Sequence, residues 1–383
     1  MDGEWHHEPV RCDYFDSGVC RSCTLMDVPY PDQLADKQAR VAARLAHMAP
    51  DVEWKPPFAS PESGFRNKAK LVAGGRPGDL TLGILDHEQH GVDLQGCGLY
   101  PAGLADAFAP IKAWLDRLQV PPYDVPRRRG ELKHVIVTSS PDDELMVRLV
   151  LRSDRHVERL RDDLPRLIGM LPGLRALTVN LQPEHKAVIE GPVEEVLTDD
   201  DHLVMRVAGL PLRLRPNSFF QTNTQAAAAL YETAERWIGT TGANSVLDLY
   251  CGVGGFALTA ATAMPGVPVH GVEIAAEAVA SAVSTAADLN LDVTFSTGDA
   301  VTAAAQADLV VVNPPRRGIG DLTSALEGSR ARWVLYSSCN VDSLARDLAR
   351  MPSYRPLRAR LIDMFPQTAH CEVLLLLERH PHV

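Results

Sequence analysis

Apolar residues recur along this chain with different periods, and the predicted elements follow them. From Gln33 to Met48 the residues Leu34, Val41, Leu45 and Met48 fall on one stripe, which predicts a helix. Between residues 56 and 215 the apolar runs are short and β-like: Ala69–Ala73, Thr81–Leu85, His134–Thr138, Leu145–Leu151, Ala176–Leu181 and Leu203–Val207. Gly and Pro clusters punctuate them, as in an antiparallel sheet. Helical stretches at Ala102–Leu118 and near Arg155–Met170 interrupt that region. From Pro216 onward the texture changes. Val246–Tyr250, Val269–Ile274, Val293–Ser296, Leu309–Asn313 and Trp333–Ser337 are apolar and rich in β-branched residues, with Ala-rich helical patterns between them. That alternation predicts a parallel, doubly wound sheet. Glu372–Glu378 follows Arg358–Met364 with no helix between, which predicts a closing hairpin and one antiparallel strand. The chain therefore reads as three regions: an N-terminal segment at 1–55, a mainly antiparallel β domain at 56–215 and an α/β domain at 216–383.

Composition narrows the class. A chain of 383 residues, 45% hydrophobic and 23% charged, is neither disordered, collagenous nor a disulfide mini-protein. Its net charge of −11 opposes bulk attraction to nucleic acid and leaves room only for a local basic groove. The longest apolar run, Val373–Leu377, is far short of the roughly 20 residues that span a bilayer. Met1–Val10 carries Asp2, Glu4 and Glu8 and no apolar core, so no leader is expected. A cytoplasmic protein with no membrane partner follows, expected as a monomer. In that compartment its seven cysteines are ligands, catalysts or core fillers before they are disulfides.

Three groups carry chemistry. Asp248-Leu-Tyr-Cys-Gly252-Val-Gly254-Gly255-Phe256 follows one predicted strand and opens a helix, and Glu273 ends the next strand. Glycines at such a turn admit a ligand to the backbone, and the acid suits ribose hydroxyls. G-x-G-G is not a dinucleotide fingerprint; with the upstream Asp248 it looks like a site for S-adenosylmethionine (SAM). Asn313-Pro-Pro-Arg316 ends a later strand and resembles the loop of methyltransferases acting on exocyclic amines, with Arg316 where they carry an aromatic. Cys339 closes the following strand, at the edge where parallel sheets bind ligands, and a helix amino terminus beside it favours a thiolate. Glu372 opens the antiparallel strand at the same edge. A thiolate, a base and a methyl sulfonium suit methylation of uracil at carbon 5, a carbon too weakly nucleophilic until a thiolate adds at carbon 6.

The second group is Cys12, Cys20 and Cys23, spaced C-x7-C-x2-C, with Cys97 far downstream. Four thiolates hold zinc or an iron–sulfur cluster, and spacing does not choose between them. The third group is basic. Ser63–Gly78 carries Arg66, Lys68, Lys70 and Arg76 with no acid; Arg127, Arg128 and Arg129 are consecutive, and Lys133 follows. These strips are read as phosphate contacts.

The sequence resembles the RNA uracil-5 methyltransferases, in the branch that acts on 23S rRNA. The residues carrying the likeness are Gly64-Phe-Arg-Asn-Lys-Ala-Lys70, Arg127-x-x-Gly-Glu-Leu-Lys133, Phe219-Phe-Gln221-Thr-Asn223, the Asp248–Phe256 loop, Gly271-Val-Glu273-Ile, Val312–Gly320, Tyr336-Ser-Ser-Cys-Asn340 and Asp363–Val373. The resemblance implies a class I, Rossmann-like, SAM-dependent methyltransferase domain. It implies SAM contacts from Gln221, Tyr250, Glu273 and Asn313, Cys339 as nucleophile and Glu372 as base. It also implies a 4Fe-4S cluster on Cys12, Cys20, Cys23 and Cys97. The expected substrate is a flipped or looped-out uridine of 23S rRNA. Two alternatives stand beside it: the same chemistry on a tRNA uridine, and a non-catalytic RNA-binding assembly factor.

Overall fold

The structure, a computed structural model, describes residues 10–301, 303 and 307–380. The leader-free reading of Met1–Val10 lies outside them except at Val10. The chain forms two compact units, one from Cys23–Glu62 and Met205–Val383, the other from Val10–Ser22 and Ser63–Val204. Strand β1 (Glu53–Phe58) belongs to the first.

The second unit is the β-rich one. Among the described residues its sheet runs β4-β3-β2-β5-β6-β7-β8, with β2 Lys68–Arg76, β3 Asp79–Leu85, β4 Gly91–Asp93, β5 Leu132–Ser139, β6 Leu145–Leu151, β7 Leu174–Leu181 and β8 Val193–Val196. Every neighbouring pair is antiparallel except β6 with β7. That parallel pair needs a crossover, and the helices Val157–Asp162 and Leu164–Met170 supply it. One sheet face, with Leu71, Val135, Val147, Leu149 and Leu177, packs with Phe108, Ile111 and Trp114 of helix Phe108–Arg117 in one core. Trp114 is wholly buried, and its indole N–H donates to Asp163 Oδ2 at 2.9 Å.

The chain returns to the first unit at Met205, within the hairpin β9 (Leu203–Val207) and β10 (Leu210–Leu214). Its remaining strands are β11 Val246–Leu249, β12 Val269–Glu273, β13 Val293–Thr297, β14 Leu309–Val312, β15 Trp333–Ser338, β16 Tyr354–Ile362 and β17 Glu372–Arg379. Among the described residues they form, with β1, one eight-stranded sheet ordered β1-β16-β17-β15-β14-β11-β12-β13. The strands from β15 to β13 are parallel, and β11 and β14 are buried throughout, as the near-continuous apolar runs require. Strand order reverses at β11, so the ligand crevice of such a sheet lies at its carboxyl end. The closing strand β17 is antiparallel to both β15 and β16, as the missing helix predicts. Beyond it β1 adds parallel to β16 at the sheet edge.

Candidate active site

The crevice is built first by the turn after β11. Tyr250 adopts φ +65° and Gly254 φ +89°. A Cβ on Gly254 would lie 3.0 Å from Ala282 Cβ and from the Phe295 ring, so the loop needs glycine there both for its backbone angle and for its close packing. Glu273 ends β12 and fixes the loop from the side. Its Oε2 accepts the Gly252 N–H at 3.1 Å and its Oε1 the Ala275 N–H at 3.0 Å. Asp248 is fully buried, and its Oδ2 accepts the Ala257 N–H at 2.9 Å. Its Oδ1 is buried without a hydrogen bond. Burial pushes this carboxyl up to about 8, and nearby Glu273 adds to the rise. Gln221 is buried just before helix Thr224–Ile238, whose first turn is capped by Asn223: Oδ1 accepts the Ala226 N–H at 3.0 Å. Phe220 is buried beside it, whereas Phe219 is 73% exposed.

The reactive groups come from the next strands. Asn313 is half-buried at the end of β14. Cys339 is half-buried just past β15, and Asn340 caps helix Val341–Ala349 by accepting the Asp342 N–H at 3.0 Å. Asn340 Nδ2 also donates to the Arg316 carbonyl at 3.0 Å, tying the Asn313–Arg316 loop to the cysteine turn. The β15–β17 register pairs Ser338 with Val373, so Cys339 and Glu372 continue the same pairing by one step. Glu372 is buried, and Ser337 Oγ donates to its Oε1 at 2.5 Å. Burial lifts the Glu372 carboxyl to about 7 against the opposing pull of that hydroxyl.

The Cys339 thiol departs from the sequence expectation. The helix terminus predicts a favoured thiolate, yet the thiol is raised. Burial is the main cause and the charge of Glu372 the second; the Arg316 guanidinium works the other way. Arg316 Nη2 also lies 3.0 Å from His370 Nδ1. Carboxyl and guanidinium thus both act on the thiol, in opposite directions.

Sequence reasoning missed Asp347. This buried carboxylate accepts the Tyr336 hydroxyl at 2.7 Å and the Ile319 N–H at 2.8 Å through Oδ2. It fastens the Arg316–Ile319 turn to β15, on which Cys339 follows. In sequence it is one of many acids on amphipathic helices, and only the fold reveals its partners.

Comparison with known proteins bears on the whole chain. The methyltransferase small domain model matches residues 221–327, and the tRNA (uracil-5-)-methyltransferase model matches residues 298–380, which include Cys339 and Glu372. The 23S rRNA (uracil(747)-C(5))-methyltransferase RlmC of Halothiobacillus neapolitanus is 48% identical over 97% of this chain and 100% of its own length. The protein of the same name from Escherichia coli is 45% identical over 96% of this chain and 99% of its own. The chain belongs to the RNA uracil-C5 methyltransferase family. A solved structure of Pyrococcus abyssi tRNA (uracil-54, C5)-methyltransferase, in complex with S-adenosyl-L-homocysteine, shares the fold of this family member with a TM-score of 0.79. It is 24% identical and covers 93% of this chain and 85% of that one.

In this uracil-C5 methyltransferase family member the β-rich unit carries the other predicted groups except Cys23. Cys12, Cys20 and Cys97 lie in it, and Cys23 is the first residue after its N-terminal segment. All four are half-buried. Cys97 is raised, first by burial and then by nearby Cys12 and Cys20. The donor chemistry suits a metal cluster. Among the described residues, however, no group of three or more His, Cys, Asp or Glu side chains is arranged to hold a metal ion.

The basic strips differ in availability. Arg127, Arg128 and Arg129 are exposed, Arg127 pairing with Asp124 at 3.2 Å. Lys70 is exposed beside Glu190 at 3.6 Å. Arg66 and Lys68 are half-buried, with Arg66 Nε donating to the Lys68 carbonyl at 3.1 Å. Burial lowers Lys68 to about 8, and neighbouring Lys70 and Arg148 contribute. Lys133 is buried: its Nζ donates to the Glu184 carbonyl at 2.6 Å and lies over the Tyr123 ring. No helix among the described residues is long and apolar enough to cross a membrane.

Proposed function

We propose that this protein methylates carbon 5 of a uridine in 23S rRNA, giving 5-methyluridine, with SAM as methyl donor. The observation that carries the reading is the meeting of Cys339 and Glu372 on adjoining strand ends, with the Glu372 charge felt at the thiol. The full-length likeness to relatives named for 23S rRNA favours that RNA over tRNA.

The chemistry follows from these groups. The Cys339 thiol loses its proton to solvent, with Arg316 favouring the thiolate. Sγ bonds to C6 of uracil, and the C5–C6 π electrons move into an enolate on C4–O4. C5 then takes the methyl group from the sulfonium donor, which leaves as a neutral thioether. The Glu372 carboxylate removes the proton from C5, the C6–S bond breaks, and the Cys339 thiolate is released. The net result is one methyl group transferred and one proton returned to solvent.

SAM supplies an electrophilic methyl group when bound. Gln221, Asp248, Tyr250, Gly252, Gly254, Glu273 and Asn313 are the residues proposed to hold it. The Glu273 carboxylate accepts one hydrogen bond each from the Gly252 and Ala275 amides, which leaves about two acceptor sites for ribose hydroxyls. The uridine reaches Cys339 looped out of its stack, at least cost from a single-stranded region. Arg66, Lys68, Lys70 and Arg127 to Arg129 are proposed phosphate contacts, and Lys133 supports that surface from beneath. The protein is proposed to act as a monomer in the cytoplasm. Cys12, Cys20, Cys23 and Cys97 are proposed as ligands of a structural 4Fe-4S cluster; the donor chemistry of four thiols supports it, as does the nearness of Cys12 and Cys20 to Cys97.

The test is methyl transfer from radiolabelled SAM to unmodified 23S rRNA and, separately, to unmodified tRNA, with the labelled base mapped. Label on C5 of an rRNA uridine is the expected result. Label in tRNA alone would overturn the substrate, and label in neither would favour a non-catalytic RNA-binding protein.

A further inference from the structure

Helix Tyr30–Leu45 buries a stripe four residues apart: Gln33, Lys37, Val41 and Leu45. Val41 and Leu45 enter the apolar core. Gln33 and Lys37 continue the same stripe with polar groups, and each is only 1% exposed. Both reach one segment, the connection between β16 and β17, and Gln33 Nε2 also donates to the Leu25 and Val28 carbonyls at 3.0 and 2.8 Å. Lys37 Nζ donates to Asp363 Oδ1 at 2.7 Å and to the Phe365 carbonyl at 3.1 Å. Gln33 and Gln367 are joined twice: Gln33 Nε2 donates to Gln367 Oε1 at 2.8 Å, and the Gln367 N–H donates to Gln33 Oε1 at 3.0 Å. One turn further along the helix, Arg40 donates to the Ala369 carbonyl.

Stability does not account for the ion pair. Desolvating two charges offsets most of their attraction unless every polar atom is satisfied. Here the Asp363 side chain is wholly buried, and its Oδ2 has no well-formed hydrogen bond, with the Tyr30 hydroxyl as its other polar neighbour. What Lys37, Gln33 and Arg40 have in common is a hold on this connection. At its start Asp363 follows Ile362, whose strand partner is Glu372. At its end the chain runs through His370 and Cys371 into Glu372 itself. A shift of this connection moves the Glu372 carboxyl.

We propose that Lys37 and Gln33 are positioning residues: by fixing the β16–β17 connection they set the Glu372 carboxyl against Cys339. The inference rests on the roles given above to Cys339 and Glu372. It assigns a part in the reaction to a helix that lies far from the site in sequence.

Lys37→Met alone strands Asp363 without its partner, so the double variant Lys37→Met/Asp363→Leu carries the test, since apolar groups replace a buried ion pair at little cost to the fold. Three quantities are read: SAM affinity by calorimetry, methyl transfer to 23S rRNA, and the fraction of RNA held covalently on a denaturing gel. Misplacement of a base by about 1 Å costs on the order of 10²-fold in turnover. The expected result is a loss of that order with SAM affinity unchanged and covalent RNA accumulating, because Cys339 still adds while proton removal lags. Wild-type turnover in the folded double variant overturns the inference, as does lost turnover with no excess adduct. Failure of the underlying reading looks different: then the wild-type chain transfers no methyl group and Glu372→Gln traps no adduct.

Discussion

At the residue scale the site turns on two groups shifted the same way by burial. Glu372 at about 7 is half protonated near neutrality, and a base must be ionised to accept the C5 proton. Breakdown of the covalent adduct is therefore expected to slow as pH drops through about 7, read as release of methylated RNA in single-turnover experiments. Glu372→Gln removes the base and keeps the shape. Turnover is expected to fall by about 10²–10⁴-fold while covalent RNA accumulates. The same shift has a stability consequence. The folded pKa lies above the ordinary 4.5, so ionising Glu372 costs the folded state stability as pH rises from 4.5 to 7, and the full cost holds above 7. Glu372→Gln should then raise the melting temperature more at pH 8 than at pH 5; an equal effect at both would contradict the shift. Cys339→Ala should abolish transfer and leave SAM affinity largely intact, measured by calorimetry. Cys339 and Glu372 are legible in the sequence because each sits at a strand end whose position the apolar pattern fixes. Asp347, Lys37 and Asp363 are not, since their meaning lies in partners that only the fold brings near.

At the scale of elements, the alternation of strand and helix after Pro216 is legible because buried parallel strands must be apolar throughout. Strand β1 is not. Pro56 and Pro57 have no N–H to give, so Glu53–Phe58 does not read as a strand. It is tolerated because it lies at the sheet edge, with a register shift between Lys55 and Phe58. The helix from Tyr30 to Leu45 is displaced from the sequence reading for a related reason. Its first buried positions include Gln33 and Lys37, which an apolar stripe does not count. The turn after β11 offers the sharpest test at this scale. Gly254→Ala places a Cβ at a left-handed backbone angle against Ala282 and Phe295. It should cost about 1–2 kcal/mol from the backbone alone and weaken SAM binding, as thermal melts and calorimetry would show.

At the scale of the whole molecule the charge is the puzzle. A chain at −11 must hold a polyanion, and the consecutive arginines Arg127 to Arg129 stand exposed on the β-rich unit. Replacing all three with Ala should weaken RNA binding across sequences. It should also flatten the salt dependence by about 0.7 log units per log unit of salt for each phosphate no longer neutralised. Binding with unchanged salt dependence would remove them from the interface. Cys97→Ser should lower iron content and melting temperature together in anaerobically purified protein. Full iron content in that variant would exclude Cys97 as a ligand.

The central claim is that Cys339 becomes bonded to the uracil and Glu372 completes the exchange. 23S rRNA carrying 5-fluorouridine tests it most directly, because fluorine replaces the proton that Glu372 must remove. With SAM present, the account predicts a stable protein–RNA adduct, already methylated at C5, whose RNA-bearing peptide contains Cys339. An adduct at another residue, or methyl transfer to uridine with no adduct on the fluorinated RNA, would contradict it.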